Sequence, residues 1–299
     1  MTKSPNHQCH NSAFTLMELS IVIVIIGLLV GGIMIGRDLI RASEIRGILS
    51  DYDRYNTAIA TFRSKYNALP GDMTNAIDYW GIAWGNSSDN YTTTCFTNSK
   101  SIPIGSQLTC NGDGNGMIAG SSACSNNGIS FTLVCNEESV SIWQHLANAN
   151  LVSGSYIPAY YGSITLSFSP VWVRGKGGNI PSSRHNEKEG FILEYICNPT
   201  AYFFPASCNH YFFYGTQSAT ENGNWVDFPF YPAFTAMEAL GIDTKIDDGK
   251  AGTGRVITHL RHAFSPFVPT CATSTVASTA QYDTSSSDKT CSLMFKASF

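Results

Sequence analysis

Residues 19–36 form one uninterrupted apolar run without a charge, headed by a single acid, Glu18, in the stretch "SAFTLMELSIVIVIIGLLVGG". An apolar stretch of ~17–25 residues is long enough to span a bilayer as a helix. A carboxylate at the edge of such a run is costly unless something pairs with it. Beyond the run, Ile45, Ile48, Leu49, Tyr52, Tyr55, Ile59, Phe62 and Tyr66 recur every three or four positions. Arg46, Asp51, Asp53, Arg54, Arg63 and Lys65 fall between them. That spacing predicts an amphipathic helix with one apolar stripe. Pro70 and Gly71 predict its stop. The two patterns join into one helix from 14 to about 69, a rod of ~80 Å at ~1.5 Å per residue. Gly27, Gly31, Gly32 and Gly36 in its apolar half permit close approach of another helix.

The remainder of the chain alternates between shorter patterns. "NEESVSIWQHLANANLVSG" predicts a second helix, with Asn136 as cap, Glu137 and Glu138 in the first turn and Gly154 as terminator. Alternating or β-rich runs over 164–173, 190–197, 211–214, 255–264 and 293–296 predict strands, with a short helix near 235–240. The expected fold is α+β: a long N-terminal helix whose second half packs on an antiparallel sheet.

Composition sharpens the setting. Only 13% of residues are charged and the net charge is −4, against about 25% charged residues in ordinary soluble domains. No basic patch interleaved with aromatics occurs, which argues against nucleic acid as a partner. Of nine cysteines, Cys9 precedes the apolar run, and Cys95, Cys110, Cys124, Cys135, Cys197, Cys208, Cys271 and Cys291 follow it. None has the tight spacing of a metal-binding pair. Scattered through loops rich in Gly, Ser and Asn, they predict disulfides in an oxidising compartment. Nearest neighbours are the expected pairs (Cys95 with Cys110, Cys124 with Cys135, Cys197 with Cys208, Cys271 with Cys291), among the many connectivities such a set allows.

"AFTLMEL" followed by an apolar run resembles the processing signal of type IV prepilins and type II secretion pseudopilins. The resemblance implies a leader over 1–13 cut by prepilin peptidase between Ala13 and Phe14, N-methylation of Phe14, and an assembly role for Glu18. The family usually has Gly where this chain has Ala13. It further implies a helix over 14–36 that serves as membrane anchor and filament core, its amphipathic continuation over 37–69, and a head over 70–299. The subunit would sit in the bacterial inner membrane with the head outside the cytoplasm, then enter an envelope-spanning or extracellular filament. Its partners would be the peptidase, other subunits and the inner-membrane assembly platform. Arg37, Arg41 and Arg46 follow the span while Lys3 precedes it. The positive-inside rule taken alone favours the reverse orientation, whereas the cleavage motif and the cysteines place the leader inside. So large a head suggests a minor subunit. The Ser/Thr-rich segment between Cys271 and Cys291 resembles the C-terminal disulfide loop of pilins. "YNALPGDM", "NGDGNG", "WQHLANANL" and "IDTKIDDGKAGTGRV" resemble a subgroup of large bacterial proteins with this leader. The rival binding-class reading is an anchored adhesin or receptor that does not polymerise.

Two loops invite a cation. In "CNGDGNGMI", Asn111, Asp113 and Asn115 alternate and Gly116 follows, as in the first half of a D-x-[DN]-x-[DN]-G calcium loop. The first position is Asn and the twelfth is Ser122, so Glu137 or Glu138 would have to close the site; the competing reading is a glycine-rich turn. "GIDTKIDDGK" gathers Asp243, Asp247 and Asp248, and major pseudopilins resemble one another in binding calcium in a head loop; the competing reading is an acidic surface turn. The chain has no HExxH, no GxSxG and no phosphate-binding loop. His145, His185, His259 and His262 read as packed or surface histidines, and Trp143, Trp172 and Trp225 as core or sheet-face aromatics. An enzyme is not expected.

Overall fold

The computed structural model describes residues 16–81, 107–118, 137–156, 180–184, 186, 189–196, 204, 208–216, 231–258 and 271–299. The expected leader, Ala13, Phe14, the strand over 164–173, Asn136, His185, His259, His262, Trp172, Trp225 and Cys95, Cys124, Cys135 and Cys197 lie outside them. The chain divides into two compact units between Gly47 and Ile48.

The apolar run and the amphipathic pattern belong to one helix, α1, Leu16–Tyr66, of 51 residues. It stops three residues short of the expected end. Asn67 takes a left-handed conformation with φ 53°, and its N–H donates to Arg63 O at 2.9 Å. Asn is among the few residues that enter this region at low cost, so it ends the helix before Pro70 and Gly71 are reached.

In the second unit, Ile48, Tyr52, Tyr55, Ala58, Ile59 and Phe62 are buried along one side of α1. Asp51, assigned by its polarity to the outer face, is buried as well. It accepts from Arg184 at 3.0 Å and from Arg54 at 3.1 Å. A buried acid needs such partners, because a lone charge in apolar surroundings is expensive.

The sheet against which these residues pack has strand order β1-β2-β6-β4, all antiparallel. Its strands are β1 (Glu189–Ile196), β2 (Asn209–Thr216), β4 (Val256–Thr258) and β6 (Leu293–Lys296). A small second sheet pairs β3 (Phe234–Thr235) with β5 (Lys289–Cys291). Cross-strand partners set Leu193, Phe212, Phe295 and Val256 in one row across the large sheet. From α1, Tyr52 meets Phe212 edge-on at 5.6 Å and lies 5.2 Å from Phe295. Its hydroxyl donates to Lys296 O at 2.6 Å. Tyr55 meets Phe191 at 5.7 Å and Trp143 at 4.9 Å. Aromatic pairs in these geometries add ~0.5–1.5 kcal/mol each beyond their buried area. Tyr52 and Tyr55 thus join sheet and helices into one core.

Among the described residues three shorter α-helices follow α1, and the last two keep the sequence pattern with altered ends. α2 (Ala76–Trp80) was not expected; α3 (Glu137–Asn148) was. α3 ends before Gly154: Asn150 is left-handed at φ 60°, Leu151 N donates to Leu146 O and Asn150 N to Ala147 O, each at 2.9 Å. These two bonds form the helix-closing motif that a left-handed residue permits. α4 (Ala236–Ile246) runs six residues past the expected end, opened by a capping box in which Thr235 accepts from Glu238 N and Glu238 accepts from Thr235 N. Cys271 and Cys291 are joined by a disulfide, and Cys110 and Cys208 each take part in a disulfide of their own.

Candidate functional sites

The first candidate is the N-terminal part of α1. Its large apolar side chains stand open from Leu16 at 87% exposure to Ile40 at 62%, and a window of the helix reaches a mean hydropathy of 2.8. By length and composition it is the one described helix able to cross a membrane. Glu18 lies in its first turn, where a carboxylate complements the positive end of the helix dipole. A Cβ placed on Gly27, Gly31, Gly32 or Gly36 would meet nothing within 4 Å. Those four positions therefore offer room for a partner's backbone.

The second candidate joins three segments of the second unit. Asp72 comes from the turn after α1, Asp113 from the glycine-rich 107–118 segment, and Glu138 from the first turn of α3. One carboxylate oxygen from each lies within 4.8 Å of the other two. Glycines make the approach possible. A Cβ on Gly112 would fall inside the van der Waals shells of Gly71 O and the Asp72 backbone, and one on Gly71, at φ 91°, would sit 2.5 Å from Glu138 O. Backbone bonds then lock the segments: Gly112 N donates to Met73 O at 2.8 Å and Gly114 N to Asp72 O at 3.1 Å.

Within this cluster, Asp72 Oδ2 accepts from Gly116 N at 3.0 Å and Glu138 Oε1 from Asp113 N at 3.1 Å. Asp72 Oδ1 is buried and has no hydrogen-bond partner among the described residues. Burial raises the Asp72 carboxyl to a pKa of about 6, with backbone donors opposing and the Asp113 carboxylate adding to the rise. Of the three alternating residues expected to ligate together, the structure brings Asp113 to the cluster. Asn111 Oδ1 accepts from Ile77 N at 3.0 Å, and Asn115 Oδ1 from Met117 N at 2.7 Å. Glu138 arrives from the following helix, as one of the two acids expected to close the site. Asp72 was missed; its only signal is the "PGD" turn.

His145 braces this arrangement from beneath. Its ring is fully buried, Nδ1 accepts from Gly71 N at 2.9 Å, and Nε2 faces Thr109 Oγ1 at 2.9 Å and Cys110 O at 3.2 Å. Accepting at Nδ1 requires the neutral ring with its proton on Nε2. Burial lowers its pKa to about 4. Nearby, Arg63, Asp72, Thr74, His210 and Phe299 line a cleft of about 400 Å³. His210 Nε2 accepts from Ile118 N at 3.0 Å, and burial, aided by the Arg63 charge, lowers its pKa to about 4.

The third candidate lies at the end of α4, where Asp243, Asp247 and Asp248 also bring oxygens within 4.8 Å. Asp243 is fully buried. Its Oδ2 accepts from Tyr282 Oη at 2.9 Å, while Oδ1 has no hydrogen-bond partner among the described residues. Burial raises its pKa to about 7, with the Asp248 and Asp247 charges adding. The same burial and the Asp243 charge push the Tyr282 hydroxyl upward. Asp247 accepts from Arg255 N, and Asp248 from Lys250 N at 2.9 Å and Thr253 Oγ1 at 2.8 Å. Asp247 and Asp248 therefore already close their own loop, and Tyr282 is carried to Asp243 by the 271–291 disulfide loop.

Comparison with protein-family models, with curated proteins and with solved structures found no match to this chain.

Proposed function

We propose that this chain is a pilin-like structural subunit, a minor component of a type IV pilus or a type II secretion pseudopilus. In this reading prepilin peptidase cuts between Ala13 and Phe14, residues 14–36 hold the subunit in the inner membrane, and the same helix carries it into a filament. The observation that supports it is a contrast within α1. Side chains from Leu16 to Ile40 stand open, whereas Ile48 to Phe62 are built into the core of the head. Burying a large aliphatic side chain contributes roughly 1.5–3 kcal/mol, so the open stretch calls for a bilayer or a bundle of like helices.

Glu18 favours the bundle. Cleavage creates an amine with an ordinary pKa of ~8, cationic at neutral pH. Opposite unit charges 4 Å apart gain ~1 kcal/mol in water and ~4 kcal/mol at an effective dielectric near 20. Glu18 of one subunit meeting the Phe14 amine of another is thus rewarded where water is scarce, and the contact fixes axial register. The four open glycines suit the close helix packing that such a core requires.

Intact-mass analysis of the mature protein tests the reading: it expects a chain beginning at methylated Phe14. A retained Met1 would remove the amine from the helix end and leave a tethered adhesin or receptor. Glu18→Val should be processed normally yet be missing from sheared filaments. Incorporation of that variant at the wild-type level would refute the pairing role.

A further inference from the structure

We infer that Asp72, Asp113 and Glu138 form a calcium site that clamps the turn after α1 to the 107–118 segment and to the start of α3. The carboxylates come from three separate stretches of chain, with oxygens within 4.8 Å of one another. Asp72 and Glu138 are 4% and 7% exposed, and Asp113 lies at the surface. Acids alone gather at many surfaces. What sets this group apart from a surface cluster is Asp72 Oδ1, a carboxylate oxygen shut off from solvent that accepts no hydrogen bond among the described residues. Asp243 Oδ1 in the α4 cluster is alike, but the acids there come from one local stretch, residues 243–248. Buried polar oxygens of this kind are normally satisfied, and a buried anion is costly without a counter-charge. Asp113 already accepts from Asn115 N at 3.0 Å and from Asn115 Nδ2 at 2.8 Å, so the open position is at Asp72 Oδ1. With two further carboxylates beside it, a cation is the partner that suits it.

The donor chemistry selects the ion. Among the described residues, the side-chain donors gathered here are carboxylate oxygens, which suit hard cations rather than zinc or copper. Calcium accepts six to eight oxygens in flexible geometry, whereas magnesium demands near-octahedral order and holds its water tightly. A site assembled from two loops and the first turn of a helix, with one exposed acid leaving room for water, fits calcium better. The rival occupant is a proton shared between Asp72 and Asp113, whose carboxyls influence one another directly. This site stands apart from the reading of the N-terminal helix, and neither depends on the other.

The test uses the full chain in detergent micelles, stripped with chelator and titrated with calcium, followed by calorimetric binding and thermal unfolding. At calcium a hundredfold above Kd, the unfolding midpoint should rise by about 5–10 °C. Asp72→Asn should weaken calcium binding at least tenfold. Asp243→Asn should leave the tightest binding unchanged, which separates this cluster from the one on α4. A second readout distinguishes a ligand from a merely structural acid. In chelator, Asp72→Asn should unfold at or above the wild-type temperature, because it removes an unpaired buried charge while an amide oxygen can still accept from Gly116 N. In calcium the order should invert. Absence of calcium binding at millimolar concentration overturns the inference, as does an equal calcium shift in Asp72→Asn and wild type. A destabilised Asp72→Asn in both conditions, with calcium affinity intact, also overturns it. A larger shift with magnesium than with calcium at equal concentration overturns the choice of ion.

Discussion

Replacing Phe62 by Ala probes whether the second half of α1 belongs to the core of the head. The Phe62 ring is fully buried. Tyr66 lies 4.5 Å from it, Trp80 6.3 Å, and the His145 imidazole is stacked at 6.3 Å. These neighbours are held by their own partners. His145 is fixed by hydrogen bonds to Gly71 N and Thr109 Oγ1, and the Tyr66 and Trp80 rings pack on each other at 5.6 Å. Such a site cannot collapse onto the space vacated, so the substitution costs near the usual range for a buried aromatic, about 3–5 kcal/mol. Domains are stable by only about 5–15 kcal/mol, so the loss is a large share. For a unit of this size it lowers the midpoint by about 6–20 °C. Near-ultraviolet circular dichroism during thermal unfolding of the oxidised full chain in detergent reads this directly. Ser64→Ala, on the exposed side of the same helix, serves as control and should change stability by less than about 0.5 kcal/mol. A Phe62→Ala midpoint no lower than the control's would refute the packing of this helix into the head.

Further predictions concern the disulfide loop and the buried imidazole. Cys271→Ser with Cys291→Ser opens a closure with a sequence separation of 20, which corresponds to about 3 kcal/mol of lost stability; chemical denaturation should show it, and an unchanged midpoint would contradict it. His145 keeps a folded-state pKa of about 4, below the ordinary 6.5. Its neutral form therefore supports folding fully above pH 6.5, and that support is lost as the pH falls toward 4, amounting to about 2 kcal/mol between pH 7 and 5. Its imidazole resonances should hold still from pH 8 to 5.5 by nuclear magnetic resonance; a midpoint near 6.5 would show that the ring is not sealed in the core.

Periodicity revealed most of what is local in this fold. The α1 stripe, α3 and the runs that become β1, β2 and β6 announce themselves, because each pattern is carried by residues that sit close together in sequence. The ends were harder. Asn67 and Asn150 stop their helices ahead of the conspicuous Pro70 and Gly154, since Asn can enter the left-handed region that Gly usually fills. The length of α4 was signalled by the T-x-x-E capping pattern at Thr235 and Glu238, which a search for apolar spacing passes over. Long-range pairing was hidden altogether. Nothing near Asp51 reveals Arg184, so a charged residue on a periodic helix is assigned outward by default. Likewise, Asp113 lies in a recognisable glycine-rich turn, but Asp72, within "YNALPGDM", follows no ligand spacing; it gains meaning only when the fold brings Glu138 and Asp113 to it.

Strand β6 is the last strand in the described chain, yet it lies inside the large sheet, between β2 and β4. The Tyr52 hydroxyl on α1 reaches the same strand through Lys296 O. Contacts that link distant parts of a chain slow folding, because loop entropy is lost before the contact rewards it. Until residues 293–296 arrive, the edges of β2 and β4 lack their shared neighbour, and bare strand edges invite association with other chains. Pairing of β6 with its two neighbours thus completes the large sheet and covers two strand edges that would otherwise be open to other chains.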